Sequence, residues 1–487
     1  MIATKANAPS ARAKWHTLNW EEIEAKVKQL QMRIAKAIRE GKYRKAKSLQ
    51  WLLTHSYFAK LLAIKRVTQN RGSKTPGIDK VIWCTSAQKL AAVSELTRRG
   101  YKALPLRRIY IPKKGNPQKL RPLSIPPMRC RAMQALHLLA LEPIAETQAD
   151  KNSYGFRPKR SCADAIEQAF IMLAKKGSAQ WVLEGDIKSC FCKISHQWMY
   201  NNIPIDKKML KQWLEAGYIE NQQLNATMEG VAQGGVISPT LLNLTLKGME
   251  DAIKATTRRQ DKVHIAIYAD DFIVTGATKE LLEDKVKPVI TSFLEMRGLE
   301  LSQEKTLITH ISDGFDFLGF NIRKYKQKLL IKPAKNNIKS FLARVRGIIK
   351  SRKADKAEEL INTLNPKIIG WANYYRHAVS KVIFSKVDHE IMKAILVWAK
   401  RRHPKKNMTW IRNKYFCTVR GDRWTFTAGI KPYRGRYILR TLFKATSVAI
   451  KRHIKIRADA NPYNPKYKEY FAKRNVHAGE YEQIFGG

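Results

Sequence analysis

Ile23, Val27, Leu30, Ile34 and Ile38 recur at three- and four-residue intervals, a spacing that puts them on one apolar face and predicts a helix. Asn19 stands at its start, Glu22 is placed for a capping box, and Gly41 ends it. Leu49, Leu52, Leu53, Leu61 and Leu62 mark the core face of a second helix over residues 44–66. Lys and Arg fill the remaining positions, so the chain begins as a basic helical arm. The segment Asn70-Arg71-Gly72-Ser73-Lys74-Thr75-Pro76-Gly77-Ile78-Asp79 is dense in turn formers and reads as a loop, on composition alone an ordinary connector.

Beyond the loop the pattern is mixed. Short β-rich runs at 107–112, 181–187, 264–268 and 272–276 alternate with helical stretches, which predicts an α+β fold. From about Asn321 the strands are expected to give way to helices. Ile338, Phe341, Leu342, Val345, Ile348 and Ile349 define the apolar face of one of these, and more helix follows through Trp398. On its other face Lys335, Lys339, Arg346 and Lys350 form a positive stripe with no acid among them. A solvated charged face is the plainer reading; the lack of acids favours a surface that tracks phosphates.

Charge sharpens this picture. The 487 residues carry 91 Lys and Arg against 40 Asp and Glu, a formal net charge of +51, yet 44% are hydrophobic. The length suits about three domains at roughly 150 residues each. So large an excess on folded domains calls for a polyanionic partner, with nucleic acid ahead of an anionic membrane. No membrane partner is expected, since neither end carries an acylation or prenylation signal and no apolar run approaches the roughly 18 residues of a spanning helix. Residues 1–14 lack the apolar segment of a secretory signal and read as a frayed terminus, with a short organellar transit peptide as the alternative. The six cysteines show no C-x-x-C pair, so they read as free thiols of a reducing cytosol. Residues 401–487 hold 21 Lys and Arg against 5 Asp and Glu, interleaved with Trp410, Tyr415, Phe416, Trp424, Phe426, Tyr433 and Tyr437. Such a mixture suits nucleic-acid backbones and bases, although the aromatics can equally build a small core.

The segment Ile265-Ala266-Ile267-Tyr268-Ala269-Asp270-Asp271-Phe272-Ile273-Val274 sets two adjacent carboxylates between apolar runs and reads as a hairpin with acids at its tip. Mutual repulsion disfavours this arrangement unless a cation neutralises it. Trp181-Val182-Leu183-Glu184-Gly185-Asp186-Ile187 brings one more Asp to the end of an apolar strand. If the two strands pair, Asp186, Asp270 and Asp271 form an oxygen-only cluster suited to magnesium. Two such ions about 3.5 to 4 Å apart serve an in-line displacement, the chemistry of polymerases. Strict alternation sends Asp270 and Asp271 to opposite faces, so the turn must bring the second one round.

Tyr268-Ala269-Asp270-Asp271 resembles the tyrosine-x-aspartate-aspartate motif of reverse transcriptases, and the neighbouring motifs resemble those of proteins encoded by bacterial group II introns. They are Thr75-Pro76-Gly77-Ile78-Asp79, Ile111-Pro112-Lys113-Lys114, Leu120-Arg121-Pro122-Leu123-Ser124-Ile125-Pro126, Tyr154-Gly155-Phe156-Arg157-Pro158, Gln233-Gly234-Gly235-Val236-Ile237-Ser238-Pro239, Glu304-Lys305-Thr306, Phe317-Leu318-Gly319-Phe320 and Gly370-Trp371-Ala372-Asn373-Tyr374-Tyr375. The resemblance implies a right-hand polymerase. Residues 1–66 are its basic helical extension, 67–323 its fingers and palm, 324–400 a thumb or maturase domain, and 401–487 a basic DNA-binding region. Asp186, Asp270 and Asp271 match the family's metal-binding triad, with the Ile187 carbonyl as a further ligand of two magnesium ions. Lys113 and Arg121 fall where the family grips the incoming deoxynucleoside triphosphate. Phe191 falls where a ring lies under the sugar and excludes a 2′-hydroxyl, and Gln233 and Gly234 match the loop that shapes the nucleotide pocket. Phe317, Leu318 and Gly319 would brace the primer end, unless they are a plain core strand. Lys335, Lys339, Arg346 and Lys350, with Arg401, Arg402, Lys405 and Lys406, would hold nucleic acid.

The function so implied is RNA-directed DNA synthesis in the bacterial cytoplasm. The partners are a group II intron RNA, whose folding and splicing the protein assists, an RNA template with its primer, and target DNA. Many relatives continue into a zinc-binding nuclease domain; its paired cysteines are missing here, so no endonuclease activity is expected. The rival readings are a splicing cofactor whose polymerase fold is only a scaffold, and a domesticated polymerase of repair or defence.

Overall fold

The computed structural model describes residues 15–113, 116–419, 421–433 and 436–474, and some side chains beside the gaps, that of Lys113 among them, are not described. The frayed terminus expected at residues 1–14, Lys114 and the side chains of Tyr433 and Tyr437 lie outside the described residues. The chain forms two compact units. The first comprises the chain through Ala165, Trp181–Ile308, and the chain from Ile456 on; the second comprises Ile166–Gln180 and Thr309–Lys455.

In the first unit, helix Trp20–Arg39 begins at Asn19, whose side chain accepts the Glu22 N–H at 3.2 Å, one half of the expected capping box. Gly41 follows its end with φ +68°, a left-handed stop that glycine adopts without strain. The second predicted helix is two, Tyr43–His55 and Tyr57–Thr68, broken at the extended Ser56. At the break Thr54 Oγ1 bonds the Gln50 and Trp51 carbonyls, which spends acceptors near the end of the first helix on a side chain. Leu49, Leu53 and Leu61 are core residues as expected, but Leu52 is exposed and Leu62 only partly buried. These helices pack on Met128–Gln148, which is buried on nearly every side and so has no polar face.

The strands of this unit are β1 (Leu106–Lys113), β2 (Asn116–Ile125), β3 (Trp181–Asp186), β4 (Tyr218–Glu220), β5 (Gln223–Asn225), β6 (His264–Tyr268) and β7 (Asp271–Gly276), with β8 (Leu307–His310) where the chain leaves it. One sheet runs β2–β1–β4–β5, the other β6–β7–β3–β8. In the second sheet β7 is antiparallel to both β6 and β3, and Val182, Leu183, Ala266, Phe272, Ile273 and Val274 are buried. Val, Ile and Phe suit such a pleated, covered surface.

In the second unit β9 (Phe315–Phe317), β10 (Phe320–Tyr325) and β11 (Lys328–Pro333) form an antiparallel sheet. Strands therefore continue past Asn321, and helix resumes only at Lys335; a boundary at 323/324 falls inside β10. The reason is Lys324, an inward-facing lysine whose Nζ bonds the Leu173 carbonyl (3.1 Å), the Lys175 carbonyl (2.8 Å) and Ser178 Oγ (3.0 Å). Helices Lys335–Ser351, Ala357–Tyr375, Lys381–Arg402 and Met408–Tyr415 follow, then the sheet of β12 (Phe416–Val419), β13 (Asp422–Tyr433) and β14 (Arg436–Thr441). Phe341, Leu342, Val345 and Ile349 are buried, with Ile338 and Ile348 at the margin of that face.

Residues 401–487 do not form one body, since the chain from Ile456 belongs to the first unit. Tyr463, Tyr467 and Phe471 are buried there, the Tyr463 hydroxyl bonds Glu142, and Asn461 bonds Thr147 at 3.1 Å. No helix among the described residues is long and apolar enough to cross a membrane.

Candidate active site

β6 and β7 turn over two residues, Ala269 and Asp270, so that Tyr268 faces Asp271 across the hairpin. Ala269 takes φ +58°, and this left-handed residue is the turn geometry that strand alternation could not supply. On the other side of β7, Asp186 of β3 stands directly opposite Asp271. Opposed residues of an antiparallel pair share a face with Cβ atoms about 4.5–5.5 Å apart. The structure thus brings Asp186, Asp270 and Asp271 together.

The loop before residue 160 props this tip. Tyr154 N–H donates to the Ile267 carbonyl and Ile267 N–H to the Asn152 carbonyl, each at 2.9 Å. Gly155 packs so closely that a Cβ would stand 2.3 Å from the Ala269 nitrogen. Arg157 anchors the loop, bonding both oxygens of buried Glu146 (2.8 and 3.0 Å) and the carbonyls of Asp150 and Ser153 (2.8 and 2.7 Å).

Charge accumulates at the tip. Lost hydration, then the charges of Asp270 and Asp186, push the Asp271 carboxyl up to about 6. Asp270 is raised too, chiefly by lost hydration and then by Asp186, while Arg121 and Lys305 pull it back. Burial pushes the Cys190 thiol up, with Asp270 and Asp186 adding to it. Lys305 Nζ sits 2.8 Å from Asp186 Oδ2. Three carboxylates held against their repulsion and a purely oxygen donor set are what a hard divalent cation requires. Among the described residues no three acids, His or Cys are drawn in tightly enough to form a cation cage as they stand. The Ile187 carbonyl is spared from the neighbouring bridge, which is held by Ser302 N–H to the Asp186 carbonyl (2.8 Å) and Lys188 N–H to the Glu300 carbonyl (2.9 Å).

Arg121 pairs with Ile111 in the β1–β2 ribbon and is exposed; Lys113 ends β1. Ser124 N–H donates to the Gln233 carbonyl (2.8 Å) and Val231 N–H to the Phe191 carbonyl (2.6 Å), which draws β2, the Gln233 loop and the Phe191 turn together. Phe191 is half-buried, edge-on to Phe156 with centroids 6.3 Å apart. Gly234 has φ +112°, and Gln233 Oε1 is buried without a partner among the described residues. Phe317 is buried in the second unit, and Leu318 and Gly319 form a turn with positive φ whose carbonyls accept from Tyr374 Oη (2.7 Å) and Tyr375 Oη (3.1 Å).

Lys335, Lys339, Arg346 and Lys350 are all exposed on one helix, but the stripe is not free of acid: Arg346 pairs with Glu390. The acid comes from the neighbouring helix Lys381–Arg402, which periodicity within the first helix does not reveal. Arg401, Lys405 and Lys406 are exposed, whereas Arg402 donates to the Asp355 carbonyl at 2.7 Å. Tyr415, Phe416 and Phe426 are core, so the aromatics of this stretch are largely structural; Trp424 is exposed. Two residues without an assigned role emerge. Lys305 lies within the matched Glu304-Lys305-Thr306 motif, which was its signal. Arg131 bonds the carbonyls of Pro126 (2.7 Å), Gly72 (3.0 Å) and Thr75 (2.5 Å), holding the Gly-rich loop, a set of distant contacts that no local sequence pattern signals.

An antiparallel palm sheet with clustered acids at a strand tip, joined to a helical arm and a second unit of helices and two small sheets, defines a right-hand nucleic-acid polymerase. Residues 111–322 match the family model of the reverse transcriptase (RNA-dependent DNA polymerase), residues 15–96 the N-terminal domain of reverse transcriptase, and residues 338–416 the group II intron maturase-specific domain. The chain is 33% identical over 309 residues to Protein YkfC of Escherichia coli (strain K12), covering 54% of this chain and 80% of that one. It is 31% identical over 332 residues to the group II intron-encoded protein LtrA of Lactococcus lactis subsp. cremoris, covering 54% of each, so the match spans about half of LtrA. Maturase-like protein 1 of Euglena gracilis is 24% identical over 381 residues, covering 74% and 77%. The chain belongs to the group II intron-encoded reverse transcriptases, a family of RNA-directed DNA polymerases that carry a maturase domain, use divalent metal ions and deoxynucleotides, and bind nucleic acid.

Proposed function

We propose that this chain copies RNA into complementary DNA from a primer 3′-hydroxyl, and that it binds a group II intron RNA to assist its splicing and mobility. The observation that carries the reading is the pairing of Asp186 with Asp271 beside Asp270. These three carboxylates, with the Ile187 carbonyl, are the residues that would hold two magnesium ions. Bound there, the ions would activate the attacking hydroxyl and stabilise the leaving pyrophosphate.

The chain's own groups do the rest. Arg121, near enough to Asp270 to favour its ionised form, offers a guanidinium for the triphosphate of a deoxynucleotide, and Lys113 at the end of β1 is its proposed partner. Phe191 supplies the ring beneath the sugar. The unpartnered Gln233 Oε1 and the backbone at Gly234 shape the pocket. Phe317, Leu318 and Gly319 brace the primer end, supported by the two tyrosine hydroxyls that fix their turn. Lys335, Lys339, Lys350, Arg401, Lys405 and Lys406 hold phosphates of template, primer, intron RNA or target DNA, with Arg346 and Arg402 contributing less because each is already engaged. On this reading residues 1–66 are an extension, fingers and palm follow from residue 67, thumb and maturase take the helices from Lys335 to about residue 400, and a DNA-binding region follows from residue 401, its segment from Ile456 belonging to the first unit. Six free cysteines accord with a reducing cytoplasm.

Primer extension on an RNA template, with magnesium and deoxynucleotides, tests the reading. The natural chain should extend the primer and Asp270→Asn should not, with both binding intron RNA alike. No extension by either, together with tight specific RNA binding, would overturn the enzyme and leave a splicing cofactor.

A further inference from the structure

Helix Tyr43–His55 presents Tyr43, Lys47, Trp51 and His55 at four-residue steps, which stacks an aromatic, a cation, an aromatic and an imidazole on one face. Trp51 is 60% exposed, and its ring lies on that of His55 with centroids 4.1 Å apart and planes 23° apart. Tyr43 on the same face is 63% exposed, so the face offers two aromatic rings to solvent. This face is one wall of a cavity of about 700 Å³. Met133, Leu136 and Ala140 form its apolar floor, and residues 204–208 close the far side. The volume falls in the range of small-molecule and cofactor sites.

The charges around the cavity are predominantly positive. Lys47, Lys60, Lys207 and Lys208 line it together with Arg98 and Arg99. Its single acid, Asp206, is already engaged by Arg98 Nε (2.5 Å) and the N–H groups of Lys208 (3.0 Å) and Met209 (3.2 Å). Lys47 and Lys207 both line the cavity, Lys207 Nζ donates to the Ile203 carbonyl at 2.6 Å, burial and then the charge of Lys47 lower the Lys207 pKa, and among the described residues no ion pair engages either lysine. Apolar walls, an open aromatic stack and an excess of cations over the one acid, itself already engaged, together fit a flat ring carrying negative charge on either side. A nucleotide has that chemistry. In a duplex its base is stacked inside, so only an unpaired nucleotide can enter.

We propose that this cavity binds one unpaired nucleotide of an RNA, with the base stacked on Trp51 and its flanking phosphates against Lys47 and Lys207. The inference rests on the reading of this chain as an RNA-binding protein, and it assigns a site remote from the acid cluster in sequence and independent of polymerisation.

Fluorescence anisotropy with two RNA hairpins of equal length tests it, one carrying a single bulged nucleotide and the other fully paired. The natural chain should bind the bulged hairpin about tenfold more tightly, the scale of one base stacked on an aromatic ring. Trp51→Ala should bring the two affinities together, Trp51→Phe should keep most of the difference, and Lys47→Gln with Lys207→Gln should weaken the bulged hairpin and flatten its salt dependence. Thermal melting establishes that each variant is folded, and the exposed position of Trp51 makes this a mild substitution. Equal affinities in the natural chain, or a preference that survives Trp51→Ala, overturns the proposal. So does loss on Trp51→Ala of binding to phosphatidylglycerol vesicles without any preference between the hairpins. A natural chain that extends a primer and binds paired RNA but ignores the bulge overturns this inference alone; one that neither extends a primer nor binds RNA overturns the functional reading as well.

Discussion

A methyl group at Gly155 would stand 2.3 Å from the Ala269 nitrogen, inside any possible contact, and the atom it meets is backbone at the tip that carries Asp270. Gly155→Ala must therefore displace the acids rather than a flexible side chain. Displacements of the order of 1 Å cost about 100-fold in rate, so single-turnover primer extension should fall by about that factor while intron RNA binding holds. The acids themselves were legible in the sequence because a carboxylate between β-branched residues is an anomaly that composition cannot hide. The side on which Asp271 lies was not, since alternation describes a straight strand and the answer depends on one residue, Ala269, at φ +58°. Lys305 reaches Asp186 across 119 positions of sequence, a contact no local pattern encodes.

Between Arg157 and Glu146 the ion pair is bidentate and almost wholly buried, with side chains 4% and 2% exposed. Arg157→Met leaves the glutamate buried without its partner, which costs about 3–5 kcal/mol; urea denaturation should show the loss, and Arg157→Met with Glu146→Leu should recover part of it. A second effect follows from His137, buried in the helix Met128–Gln148 edge-on to Trp213. Burial holds its imidazole down at about 4 against an ordinary 6.5. Between those values the unfolded chain takes up a proton that the folded chain refuses, so this contribution is fully present above pH 6.5 and is lost as the pH falls towards about 4. Melting temperature against pH should fall across that window, and less steeply in His137→Leu. Elements whose faces follow one period were legible, as with the first helix and the palm strands. The break at Ser56 and the β10–β11 hairpin were not: one depends on side chains bonding their own helix, the other on a lysine that points inward and finds three oxygen partners.

Taken whole, the chain carries +51 on folded units, and the inference of a polyanionic partner needed nothing more. Domain limits were harder to read, because a sequence invites contiguous blocks and this chain returns at Ile456 to the unit it left. Buried Asp164 accepts the Ile456 N–H at 2.7 Å and Arg474 Nη2 at 2.9 Å. A chain ended at Lys455 takes both donors from one oxygen of that carboxylate and leaves the Ser161 N–H and hydroxyl on the other, and removal of a buried charged partner of this kind costs up to about 3–5 kcal/mol. Its first unit should melt earlier than that of the full chain in calorimetry, with the second unit's transition unmoved.

The same return path sets an order in time. A ribosome delivers the acid-bearing hairpin when it passes Gly276, but the segment that closes over Asp164 emerges only after the whole second unit has been made, about 10–40 s later at the usual pace of translation. Until then Asp164 and the apolar surface destined for Tyr463, Tyr467 and Phe471 stand open on the nascent chain. The first unit is therefore completed only after the second has been made, and the second unit has the chance to fold first.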